Sequence, residues 1–208
     1  MHPAASAYQA LLQRIDRWFE DTSSRHPGVI PCRAGCSACC HGPFDISVAD
    51  ALLLREGLAL LPARERAEAR SRAEDLLELM QEIEPDWQAP FDLRTLGEAR
   101  FDALTDALAA EPCPLLDEAG RCLVYAHRPL VCRLIGLPMV TAEGNVLENA
   151  CPIQDDFPSY AALDPQLFDL ESLEVVEQSC LGTAAEAFGG SARNTGFETV
   201  IAAVVAQA

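Results

Sequence analysis

The stretch Cys32-Arg33-Ala34-Gly35-Cys36-Ser37-Ala38-Cys39-Cys40 places four thiols within nine residues. The chain has 208 residues and nine cysteines: four lie within 32–40, none within 41–112, four within 113–151, and Cys180 stands apart. Short spacings favour metal ligation because little chain entropy is lost in gathering the donors. Gly35 and the small residues Ser37 and Ala38 let the backbone curl so that several sulfurs converge. Cysteines used only as small buried hydrophobes would not bunch in this way.

The second group is Cys113-Pro114, Cys122, Cys132 and Cys151-Pro152, at separations of 9, 10 and 19 residues. Alone it would say little. With the first group it makes eight thiols, enough for two four-thiolate sites or for one site with reserve ligands. Charge does not separate the candidate metals. A four-thiolate zinc site and a four-thiolate cluster with a +2 core carry the same net charge. The odd cysteine count and the vicinal pair Cys39-Cys40 argue against a disulfide frame.

The chain carries 32 acidic and 15 basic side chains, for a formal charge of −17. That balance excludes a nucleic-acid surface, which needs a basic face to neutralise phosphate. Every one of the 15 basic residues is arginine. The missing lysine excludes the P-loop lysine, pyridoxal phosphate linkage and Schiff-base catalysis. No Ser-His-Asp, Rossmann glycine or HExxH pattern narrows the reaction class. The opening Met1-His2-Pro3-Ala4-Ala5-Ser6 has no basic region followed by an apolar stretch, so no secretory signal is expected. No run is apolar enough to span a membrane. A cytoplasmic setting with reduced thiols is therefore expected.

Apolar spacing predicts a helix over 5–21, with Leu11, Leu12, Ile15, Trp18 and Phe19 on its inner face. His26-Pro27-Gly28 breaks it. Ser47 with Asp50 three residues on reads as a capping box that opens a helix running to Pro62. Residues 62–84 form the clearest helix, with Arg64/Glu68 and Arg70/Glu74 at i,i+4 and an apolar stripe of Leu76, Leu77, Met80 and Ile83. Further helices are predicted over 92–110, 165–181 and 195–207. Asp117-Glu118-Ala119-Gly120 predicts one small hairpin. Thr141-Ala142-Glu143-Gly144-Asn145 predicts another, between 137–140 and 146–148. The fold class is thus mainly α with small β-hairpins, in a single domain over 1–208 organised around a cysteine-rich metal site. Cysteine blocks 30–50 and 113–152 flank a helical insertion over 51–112, and C-terminal helices fill 153–208.

Cys32-x3-Cys36-x2-Cys39-Cys40 resembles the cysteine-cluster signature of YkgJ-like proteins, a zinc- or iron-chelating domain of the CxxCxxCC type. Cys113-Pro114-Leu115-Leu116, Gly120-Arg121-Cys122, Tyr125, Arg128-Pro129 and Cys132-Arg133 follow that family's pattern in order. The resemblance implies a metal site built from these cysteines, and it leaves zinc or iron open. It supplies no reaction, although a flagellin lysine methylase contains a similar domain. Cys32-x3-Cys36-x2-Cys39 also has the spacing of radical-SAM enzymes. Ala38 stands where those enzymes usually carry an aromatic, and the helices here are not interleaved with strands as their parallel β/α units require.

The candidate metal ligands are Cys32, Cys36, Cys39, Cys40, Cys113, Cys122, Cys132 and Cys151. The expected partner is an iron–sulfur cluster or Zn2+, with iron preferred because the Cys-Pro pairs at 113 and 151 match the Cys-Pro ending of some ferredoxin motifs. A redox role or a cluster-dependent modification is open with such a centre, and a structural zinc module for protein interaction, without catalysis, is the alternative. Arg121, His127, Arg128 and Arg133 form a basic island among the cysteines. They could lower thiol pKa values or hydrogen-bond to sulfur, or they could simply pair with carboxylates. His41 is expected at the rim, Cys180 in the core, and His2 and His26 in solvent. Glu82, Glu84 and Asp86 read as a solvated face.

Overall fold

Val48–Ala59 is the helix around which the rest packs. Ser47 caps it, its hydroxyl accepting the Asp50 N–H at 3.3 Å, as the capping pattern predicts. Val48, Ala49, Ala51, Leu53, Leu54 and Leu58 are all buried. A helix apolar on nearly every side belongs in the middle of a core. The computed structural model describes residues 3–33, 35–146, 151–167, 171–173, 175–176, 178–180 and 196–208.

Helix α1 (Pro3–Arg25) buries Tyr8, Leu12 and Ile15 against α2 (Val48–Ala59). Helix α3 (Ala63–Ile83) buries Ala69, Ala73, Leu76, Leu77 and Met80. Its chief partner is the C-terminal helix α7 (Ile201–Ala206), whose residues 201–205 are all buried. Full burial of each large apolar side chain contributes about 2 kcal/mol. Between α3 and the second cysteine block lie α4 (Leu93–Leu96) and α5 (Glu98–Ala107). The short helix α6 (Val131–Leu134) carries Cys132 and Arg133.

The strands are short and their pairings long-range. β1 (Asp45–Ser47) runs antiparallel to β4 (Glu198–Val200), and β2 (Met139–Val140) runs parallel to β3 (Gln166–Leu167). The first pair carries the chain's last helix onto α2 and α3. The molecule is therefore mainly α with small β elements.

Several sequence expectations need correction. The helix expected over 92–110 is two helices, because Gly97 takes φ +86°, a left-handed conformation that a helix cannot contain. The helix expected over 165–181 begins late: residues 166–167 pair with β2, and helix is present at 171–173, 175–176 and 178–180. Residues 198–200 of the helix expected over 195–207 are extended, since Thr199 and Val200 pair with β1. The turn at 117–120 closes as expected, with a Leu116–Cys122 bridge. The second turn also closes, through a Val140–Val146 bridge, while residues 147–148 lie outside the described residues.

Candidate metal centre

The 32–40 loop is built from successive turns. The Cys36 N–H donates to the Arg33 carbonyl and the Cys40 N–H to the Ser37 carbonyl, both at 2.9 Å. Gly35, inside the first of these turns, sits at φ +82°. The loop is then tied to the second block. The Cys113 N–H donates to the Cys40 carbonyl at 2.9 Å, His41 bridges to Pro112, and the Gly42 N–H donates to the Glu111 carbonyl.

The second block presents its thiols from tight turns. The Asp117 carboxylate accepts the Ala119 N–H at 2.9 Å, the Arg121 N–H at 2.8 Å and the Arg121 guanidinium Nε at 2.9 Å. These bonds hold its carboxyl below the usual range and fix the turn between Cys113 and Cys122. Backbone N–H groups donate to three sulfurs, each from two residues further on: Leu115 to Cys113, Val124 to Cys122 and Ile153 to Cys151. Such bonds stabilise a thiolate and orient it.

All eight expected cysteines line one cavity of about 100 Å3, room for several water-sized atoms. Cys180 does not line it; it is wholly buried in the main core, as expected. His41 is exposed at the edge and does not line the cavity, which agrees with a place at the rim. Among the described residues, no three His, Cys, Asp or Glu side chains converge tightly enough to ligate one ion. The donors fit a soft metal by chemical identity and by lining one cavity.

The basic island divides. Arg121, Arg128 and Arg133 line the cavity, whereas His127 packs against Gly57 of α2. Arg133 is held on three sides: Nε donates to the Arg128 carbonyl and Nη2 to the Ala126 carbonyl, both at 3.0 Å, and Nη1 pairs with Asp16. Its side chain is only 2% exposed. Arg128 pairs with the other Asp16 oxygen at 2.9 Å and lies over the Tyr125 ring at 4.1 Å. Asp16 thus pins both arginines to α1.

Sequence reasoning missed Asp16 and gave Asp50 only a capping role. Asp50 is buried, and its Oδ1 accepts the Tyr8 hydroxyl and the Leu130 N–H, each at 2.8 Å. It therefore joins α1 and α2 to the start of α6, beside Cys132. A carboxylate set among the apolar residues of the first turns of α2 was the available signal. Gly136, at φ +77°, is a further missed element: a Cβ there would stand 3.1 Å from Cys151 Cβ and 3.4 Å from Cys32 Sγ. Phe19, expected in the core, lines the cavity wall, and Trp18 packs against the core edge. His26 is exposed, and His2 lies outside the described residues. Glu82 and Asp86 are exposed as expected, while Glu84 pairs with Arg100.

Burial and crowding push most of these thiols up. Cys32 rises to about 12, first through desolvation and then through Cys151, Cys39 and Cys36, against an opposing pull from Arg128. Cys113 also rises to about 12, mainly through burial. The Cys40 thiol donates to the Cys39 sulfur, which lowers Cys39 to about 7 and raises Cys40. Gathering eight anionic sulfurs is unfavourable without a cation. A metal cation at the cavity would make their joint deprotonation favourable.

Among the described residues no helix is long and apolar enough to cross a membrane. Neither the curated proteins nor the solved structures give a match to this chain. A family model, CxxCxxCC, described as a putative zinc- or iron-chelating domain, matches residues 31–152. The match takes in both cysteine blocks and the helices between them, although three residues separate the first two cysteines here. With more than half its length matched, the chain belongs to the CxxCxxCC family.

Proposed function

We propose that this protein binds zinc or iron through Cys32, Cys36, Cys39, Cys40, Cys113, Cys122, Cys132 and Cys151, held as thiolates around the common cavity. The observation that carries this reading is the sorting of the nine cysteines. Eight of them, drawn from two distant segments, line one cavity, and the ninth is sealed in the apolar core. Eight thiolates can close two four-coordinate sites with no vacant position. That favours electron transfer or a structural role over substrate coordination at the metal. Iron remains the preferred metal on the Cys-Pro pairs, and a colourless structural zinc module is the second reading, supported by the same closed donor count.

The test is metal and acid-labile sulfide analysis, with a visible spectrum, on protein purified without air. An iron–sulfur centre gives stoichiometric iron and sulfide and a broad visible absorption that bleaches on reduction. Structural zinc gives stoichiometric zinc and no colour. In either case Cys36→Ser and Cys39→Ser should lower bound metal and thermal stability together, because metal binding is coupled to folding. Unchanged metal content in both variants would overturn the assignment.

A further inference from the structure

The eight thiols do not form one undivided set. Cys40, Cys113, Cys122 and Cys132 all pack against the main apolar core. Cys32 instead packs against a separate small cluster made by Ile30, Tyr160 and Leu163. The backbone draws the same line. Cys113 is hydrogen-bonded to Cys40, and the Leu116–Cys122 bridge, with the Leu123 N–H on the Leu115 carbonyl at 2.9 Å, sets Cys122 beside Cys113. On the other side, Cys32 and Cys151 both close on Gly136.

Thiol neighbourhoods follow this division at every cysteine but Cys39, which neighbours thiols of both groups. The thiols close enough to act on Cys32 are those of Cys151, Cys39 and Cys36. Those acting on Cys151 are Cys39, Cys36 and Cys32. Those acting on Cys132 are Cys113, Cys122 and Cys39. Those acting on Cys40 are Cys39, Cys113 and Cys132. Only Cys39 appears in every neighbourhood, and its peptide bond to Cys40 is the point where the two groups meet.

We infer that the cavity holds two four-thiolate metal sites abutting at the Cys39–Cys40 peptide: an outer site of Cys32, Cys36, Cys39 and Cys151, and an inner site of Cys40, Cys113, Cys122 and Cys132. This rests on the metal-binding reading above and adds its stoichiometry and the partition of its ligands. Arg128 acts on one thiol of each group, Cys32 and Cys122. It is the shared cation for two adjacent anionic centres. The inner site packs against the main core, whereas the outer site, apart from the buried Cys151, stands on the 32–40 loop beside a smaller apolar cluster. The outer metal therefore exchanges first.

The experiment loads the full-length, metal-free protein with zinc(II) alone, removes free ion, and counts zinc per chain. X-ray absorption then reads the ligands. The expected result is two zinc ions per chain with sulfur-only coordination at about 2.3 Å. Cys36→Ser and Cys151→Ser should each bind one zinc and keep the wild-type helical circular dichroism. A competing chelator should remove half the zinc from the wild type in a fast phase and the rest slowly. One zinc per chain, more than two, or loss of both ions from a folded Cys36→Ser variant would overturn the two-site partition and leave the metal-binding reading standing. No zinc at all, together with no iron on anaerobic purification, would overturn both.

Discussion

The helical scaffold and the cysteine-lined cavity are held together in different ways. In the scaffold, α2, α3 and α7 bury mostly alanine, leucine and valine against one another along regular helices. Around the cavity little backbone is regular. Order there comes from turns, N–H bonds to sulfur, the Asp117 turn, and the carboxylates Asp16 and Asp50 reaching in from helices. A scaffold of the first kind stands on apolar burial whether or not a metal is bound. A wall of the second kind stores much of its order in polar and thiol contacts, which respond to pH, to charge and to metal.

The largest expected effect separates the two regions by pH. Folding raises Cys32 and Cys113 to about 12, and burial raises Cys122, Cys132 and Cys151 as well. The folded chain thus holds these protons more tightly than the unfolded chain does. Their stabilisation is complete below about pH 9, the ordinary thiol value, and is lost as pH rises towards 12. Cys39, lowered to about 7, runs the opposite way and contributes only as pH rises. Metal-free protein should therefore lose denaturant stability from pH 9 upward, while metal-loaded protein, its thiols already deprotonated, should not. Parallel curves for the two forms would show that these thiols are not the groups the metal engages.

The next effect is a charge left alone. Asp16→Ala removes the partner of an arginine whose side chain is almost wholly buried. Breaking such a pair costs about 3 kcal/mol, at the low end of the usual range because two carbonyls still accept from Arg133. Urea denaturation should register that loss, and zinc affinity should fall with it, since Arg128 and Arg133 line the cavity. A loss of stability with unchanged zinc affinity would confine Asp16 to the scaffold. The smallest effect belongs to the scaffold itself. Ser47→Ala removes the α2 cap and should cost about 1 kcal/mol with no change in zinc stoichiometry.

The same contrast explains what could be read from the sequence. Helix α3 was legible because its charged pairs and apolar stripe are local, although Ile83, expected on that stripe, is exposed where the helix ends, and α2 because Ser47 and Asp50 are three residues apart. The cysteine block at 32–40 was legible for the same reason, density along the chain. What escaped was everything set by distant pairing. Thr199 and Val200 read as helix until Asp45–Ser47 was there to pair with them. Gln166 and Leu167 became extended beside Met139 and Val140. Asp16 looked like an ordinary surface residue of an amphipathic helix, since nothing near it in sequence announces Arg128 and Arg133. Which thiols neighbour which could not be read from separations of 9, 10 and 19 residues, because a loop's length does not say where it returns.

The hydrogen bond from Cys113 to the Cys40 carbonyl also bears on the order of biosynthesis. A ribosome delivers residues 32–40 well before residue 113 exists, and synthesis proceeds at only about 5–20 residues per second. For several seconds the nascent chain carries four closely spaced thiols with no opposite wall to shelter them. During that interval they are open to oxidation and to exchange with other thiols. The first cysteine block is thus a reactive segment before it becomes one side of a cavity.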